Sequence, residues 1–122
     1  MAPDPDFEIR FFESVHSNLP NDPQVIDILG SLYTQHGRID EGLEMDRKAI
    51  RLSPDNPNAY YNLACSLTLK TQKKEALEAL GKAIDLGYDD LKWLLEDPDL
   101  KSLHNDPQFE ALINKLRENE GI

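Results

Sequence analysis

The residue types that could carry out chemistry are few and scattered. Three histidines stand at His16, His36 and His104, the single cysteine is Cys65, and a proline-interrupted set of acids runs through Asp97, Asp99 and Asp106. A zinc site wants His or Cys at close helical spacing or in paired-cysteine motifs, and none of these residues is so placed. The acids are too scattered by Pro98 and Pro107 to match a calcium loop. No Ser or Cys sits in a nucleophile elbow, and no glycine-rich segment could cradle a phosphate. His36, next to Gly37, reads as a helix-end residue facing terminal carbonyls. Cys65 reads as a buried or half-buried small apolar residue, with no His or Lys near enough in sequence to lower its pKa. Glu41, Glu44 and Asp46 read as a solvated helix face. The sequence thus implies no enzyme, no metal and no cofactor.

What must position any surface is helical. At 122 residues the chain has room for one compact domain of five or six helices. No apolar run is long enough to span a membrane, and the first residues lack the basic and apolar regions of a secretory signal. One cysteine fits a reducing compartment, and the sequence points to the cytoplasm. The formal charge is −10, spread over both halves. That field opposes nucleic acid and anionic bilayers and favours a neutral or basic partner.

Residues 1–6 are rich in Pro and Asp and are expected to be disordered. A short helix follows from Phe7 to Asn18, with Phe11, Phe12 and Val15 as its stripe and Ile9 beside it. Three Asx-Pro pairs, Asp22-Pro23, Asn56-Pro57 and Asp106-Pro107, mark helix starts, because the Asx side chain accepts from first-turn amides and proline loses no bond there. Helix 23–36 turns Ile26, Leu29 and Tyr33 inward and ends on Gly37. Helix 39–52 turns Leu43, Ala49, Ile50 and Leu52 inward; helix 57–70 does so with Tyr60, Leu63, Ala64 and Leu67. Thr71 stands where the preceding hairpin has Gly37, and a left-handed threonine is costly, so a different turn or an early fray is expected there. Helix 73–86 buries Ala76, Leu77, Leu80, Ala83 and Ile84 and closes on Gly87. Leu91, Trp93, Leu94 and Leu95 form a short apolar helix cut off by Asp97-Pro98; Leu100 and Leu103 lie in a turn-rich link. Pro107–Asn119 is a last amphipathic helix carrying Phe109, Leu112, Ile113 and Leu116.

Residues 23–56 and 57–90 are one hairpin written twice at a period of 34. Pro23 falls on Pro57, Leu29 on Leu63, Gly30 on Ala64, Gly42 on Ala76, Ala49 on Ala83 and Ile50 on Ile84. Small residues recur where two helices must approach closely. This pattern resembles the tetratricopeptide repeat family, and in particular small bacterial members with two full repeats and degenerate ends. The resemblance implies an all-α, right-handed stack of antiparallel helical hairpins. It divides the chain into a half-unit cap at 7–22, repeats at 23–56 and 57–90, and a degenerate repeat with a C-terminal cap at 91–119. Such units gain stability by stacking on neighbours.

In that family the first helices of successive units line a concave groove that binds peptides. Carried onto this sequence, the groove would display Gln24, Asp27, Ile28, Ser31, Thr34 and Gln35, then Asn58, Tyr61, Asn62, Cys65, Thr68 and Leu69, then Lys92, Leu95 and Glu96. These residues miss the inward stripes, which argues for their exposure. The implied function is an adaptor for a neutral to basic protein segment with an apolar anchor near Tyr61 and Leu69. Asp27 and Glu96 would repel the C-terminal carboxylate that some family members clamp. The alternative is a structural module that self-associates as a homo-oligomer through Phe7, Phe11 and Phe12 or through the Pro107–Asn119 helix.

Overall fold

The computed structural model describes residue 4 and residues 6–121, and every described element is helical. The order is α1 (Phe7–Asn18), α2 (Pro23–Gln35), α3 (Ile39–Leu52), α4 (Pro57–Leu69), α5 (Lys73–Asp85), α6 (Leu91–Glu96), a 3-10 helix (Pro98–Leu103) and α7 (Pro107–Asn119). They group into two compact units, Met1–Pro54 and Asp55–Ile122. Of the segment expected to be disordered, positions 1–3 and 5 lie outside the described residues. Asp4 and Asp6 are tied to the start of α1: the Phe7 amide donates to the Asp4 carbonyl at 3.1 Å, the Arg10 amide donates to the Asp6 carbonyl at 2.9 Å, and Arg10 pairs with the Asp4 carboxylate.

In the first unit, α2 packs against both α1 and α3. Its core joins Leu29, Leu32 and Tyr33 to Ile9, with Phe12 and Met45 packed against them. Ile9 is the fully buried residue of α1, whereas Phe11 faces outward. Of the expected α1 stripe, Phe12 packs on this core and Val15 is half-buried, while Phe11 turns out and Ile9 takes the central place. The close approach of α2 to α3 runs through glycine: a Cβ on Gly30 would sit 3.1 Å from the Met45 Cβ. Asp46 is buried beside Gly30, not on a solvated face, and Leu52 is exposed at the end of its helix, not inward.

In the second unit, α4 and α5 form the matching hairpin, with Ala64 and Ala76 fully buried at the positions of Gly30 and Gly42. The 3-10 helix packs on α4, and α7 packs on α5. Leu94, Leu100, Leu103, Phe109 and Leu116 are buried by this closing segment. The link expected to be merely turn-rich is thus a helix in its own right, and Asp97-Pro98 starts it as well as ending α6. Asp97 Oδ1 accepts from the Asp99 amide at 2.9 Å, as Asp22, Asn56 and Asp106 accept from Gln24, Asn58 and Gln108.

Three helix ends share one hydrogen-bond scheme. Arg38 N donates to Tyr33 O at 2.8 Å, Gln72 N to Leu67 O at 2.9 Å and Tyr88 N to Ala83 O at 2.9 Å. Each closes a turn through a left-handed residue: Gly37 (φ 78°), Thr71 (φ 64°) and Gly87 (φ 110°). The helix before Thr71 therefore neither frays early nor changes its turn. The repeated hairpin geometry imposes on threonine a conformation that glycine takes freely.

Candidate functional site

Asn58, Tyr61 and Asn62 lie three and four residues apart, along one edge of α4. Together with the Gly87–Asp90 turn and Trp93 they line an open cleft of about 450 Å³. Its floor is a pair of tyrosines. The Tyr61 and Tyr88 rings stack at 4.4 Å between centroids, 4° from parallel. Tyr88 stands where the 34-residue register has Pro54 in the first hairpin; here an aromatic ring replaces a helix-breaking proline.

Behind the floor, Tyr61 Oη donates to Asp97 Oδ2 at 2.5 Å, and Cys65 Sγ donates to the same oxygen at 3.5 Å. Asp97 is only 4% exposed. With Oδ1 capping the 3-10 helix, both oxygens of this carboxylate have donors, which is what burial of the charge requires. Burial, with the hydrogen bond to the Asp97 carboxylate, pushes the Tyr61 phenol far up. Burial also lifts Tyr88 to about 12. The Cys65 thiol rises for the same reason, aided by Asp97 and Asp99. Both phenols and the thiol are therefore uncharged at neutral pH, and Cys65 is no thiolate nucleophile.

Cys65, Asp97 and Asp99 bring their donor atoms within 4.8 Å of one another, a convergence the sequence order did not reveal. A cation there would compete with the donors already on Asp97, the Asp99 amide, the Tyr61 phenol and the Cys65 thiol, and the thiol holds its proton tightly. The cluster works as a clasp between α4 and the closing segment.

The residues assigned to a groove divide accordingly. Asp27, Ile28 and Ser31 are exposed on α2, and partial desolvation raises the Asp27 carboxyl. Asn58 is exposed and Asn62 half-buried, and both line the cleft. Leu69, Lys92, Leu95 and Glu96 are exposed but lie outside it. Tyr61 and Thr68 do not have the exposure expected of them, at 5% each, and Cys65, 7% exposed, is the buried small apolar residue expected from its type and not a groove residue. The Asp97–Leu103 segment folds over that face of α4 and takes Tyr61 and Cys65 as its own partners. The apolar surface exposed at the cleft is therefore not Tyr61. Trp93, 47% exposed and lining the cleft, offers it instead. The sequence hides this residue inside the apolar run Leu91–Leu95. The signal that could have found it is Asp90, which caps α6 by accepting from the Trp93 amide at 3.0 Å and so fixes the phase that buries Leu94 and turns Trp93 out.

Consecutive helices paired through tight turns, with small residues at the crossing, define a helical-repeat protein. The family model described as TPR repeat matches residues 30–67, and the one described as tetratricopeptide repeat matches residues 57–86. The chain belongs to the tetratricopeptide-repeat family. It is 30% identical over 92 residues to a chloroplastic protein of Arabidopsis thaliana, covering 73% of this chain and 28% of that protein. It is 39% identical over 49 residues to tetratricopeptide repeat protein 36 of Caenorhabditis elegans, covering 40% and 27% respectively. The chain thus spans little more than a quarter of the length of these relatives. Repeats of this family mediate binding to proteins. No helix among the described residues is long and apolar enough to cross a membrane.

Proposed function

We propose that this chain is a non-catalytic module that holds a segment of another protein, with the cleft beside α4 as its principal contact. The observation that carries this reading is the cleft itself: side-chain amides and an exposed indole set over a rigid tyrosine floor. Asn58 and Asn62 can pair with the backbone of an extended segment, and Trp93 supplies the apolar contact that gives affinity. Asp27, Ile28, Ser31, Leu69, Lys92 and Glu96 are the further contacts of this reading; Tyr61 and Cys65 support the site from beneath. The chain is parsed as a half-unit cap at 7–22, repeats at 23–56 and 57–90, and a closing unit at 91–119. The segment is neutral to basic, and neither nucleic acid nor a membrane surface is the partner, since the chain carries −10. Selection of peptides from a random displayed library, followed by amide-shift mapping on the labelled chain, tests it. Selected peptides that shift Asn58, Asn62 and Trp93 are the expected result; a library that yields no binder overturns it.

A second reading has its own observation. Phe7 and Phe11 are 62% and 53% exposed, and their rings stack at 6.5 Å along the outer side of α1. Self-association through this face predicts a mass that doubles with concentration in sedimentation and returns to monomer in Phe11→Glu. We also place the protein in the cytoplasm, on the strength of its lone buried thiol. The chloroplastic name of one relative makes an organelle the competing location, and fractionation of tagged protein decides between them.

A further inference from the structure

We infer that the cleft beside α4 is an anchor site for a single cationic side chain of the bound segment, a guanidinium in preference to an ammonium. The inference deepens the module reading above and rests on it. The acids lining the cleft are Asp89 and Asp90, and among the described residues no Lys, Arg or His lines it. The phenols of Tyr61 and Tyr88 are held neutral by burial, so they add no competing charge. Asp89 is exposed, and Asp90 is fixed in place because it caps α6. Its partner is the backbone amide of Trp93, so the acid is held at the main chain of the residue whose indole lines the same cleft.

That combination selects the ligand. Two carboxylates favour a cation, an indole face adds a cation–π contribution, and the amides of Asn58 and Asn62 can accept from further N–H groups. A planar guanidinium can meet a carboxylate edge-on and an aromatic ring face-on at once, which a compact ammonium cannot. The cleft volume of about 450 Å³ takes one long side chain, not a folded element.

The test uses small probes on the full chain. N-acetyl-arginine amide, N-acetyl-lysine amide and N-acetyl-citrulline amide are titrated separately into labelled protein. Citrulline keeps the shape of arginine without the charge. Arginine is expected to shift Asn58, Asn62, Asp89 and the Trp93 indole, with lysine weaker and citrulline weaker by about tenfold or more. Asp89→Asn should weaken arginine binding by about three- to tenfold, and Trp93→Leu by a similar factor, both with an otherwise unchanged amide spectrum. Added salt should weaken it further. Equal binding of citrulline, shifts outside the cleft, or indifference to Asp89→Asn overturns the inference. Library peptides that bind without a cationic residue would leave the module standing and remove the cation site. Arginine seated in the cleft with no peptide ever selected would do the reverse.

Discussion

Replacing Thr71 by glycine should make the protein more stable, although it deletes a side chain and a hydrogen bond. Thr71 sits at φ 64°, in the turn that glycine occupies after α2 and α5. Left-handed backbone costs an L-residue about 1–2 kcal/mol, and a β-branched side chain stands toward the upper end. Against this relief stand two losses. Glycine adds about 0.4–1 kcal/mol of backbone freedom to the unfolded chain. The bond from Thr71 Oγ1 to the Lys70 carbonyl, 2.5 Å long but exposed, is worth about 0.5 kcal/mol at most. The balance is a gain of about 0.5 kcal/mol, which for a chain of this size raises Tm by about 1–3 °C. Thr71→Asn should fall between the two, since asparagine tolerates the left-handed region. Thr71→Val keeps the shape, loses the hydroxyl and should be the least stable. Urea unfolding of the four proteins, read as midpoints at constant slope, gives the order directly. Valine equal to threonine, or glycine below it, would show that the strain argument is wrong.

Tyr61→Phe removes the shortest donor to the buried Asp97 carboxylate and should cost about 1–3 kcal/mol in urea unfolding; Tyr61→Ala, which also opens a cavity against Tyr88, should cost about 3–5 kcal/mol. Burial and the neighbouring Asp97 raise the Asp99 carboxyl above its usual 3.8, so its ionisation opposes folding at neutral pH. Asp99→Asn should therefore be more stable than the parent at pH 7, and this advantage should fade as pH drops through the raised pKa and vanish below the usual value. A pH series of thermal melts checks the sign, and an advantage that grows on acidification would refute it. Gly30→Ala should cost about 1–3 kcal/mol, because the new methyl meets the Met45 Cβ at 3.1 Å; thermal melts alongside Glu44→Ala, expected to be near neutral, separate overpacking from a general surface effect.

The helices are legible in the sequence because their signals are local. Asx-Pro pairs cap through side chains within three residues, and the 34-residue register sets Gly30 and Gly42 against Ala64 and Ala76, where the structure has its closest or most buried positions. What cannot be read is which face of α4 remains open. Helical spacing separates Tyr61, Cys65 and Thr68 from the stripe that packs on α5, but a residue off one stripe is exposed only if nothing else covers it. Asp97, 36 residues away from Tyr61, comes over that face. No periodicity carries such a contact, because the closing segment no longer follows the repeat. Thr71 misleads for the opposite reason: intrinsic preference argues against a conformation that the hairpin enforces. Trp93 is lost in an apolar run where every neighbour looks equally fit for the core.

Asp97 ends α6, starts the 3-10 helix and accepts from Tyr61 and Cys65 on α4. Fraying of the closing segment is therefore not a local event. To release it, the chain must give up a helix cap and strip a buried carboxylate of its donors in the same motion. Under native conditions the amides of α4 and those that follow Asp97 should exchange with solvent at a common rate, as one cooperative block. The start of α1 is held by exposed contacts to Asp4, and Asp6 adds no side-chain cap. It should open first and alone, so the two ends of the chain fluctuate on separate timescales.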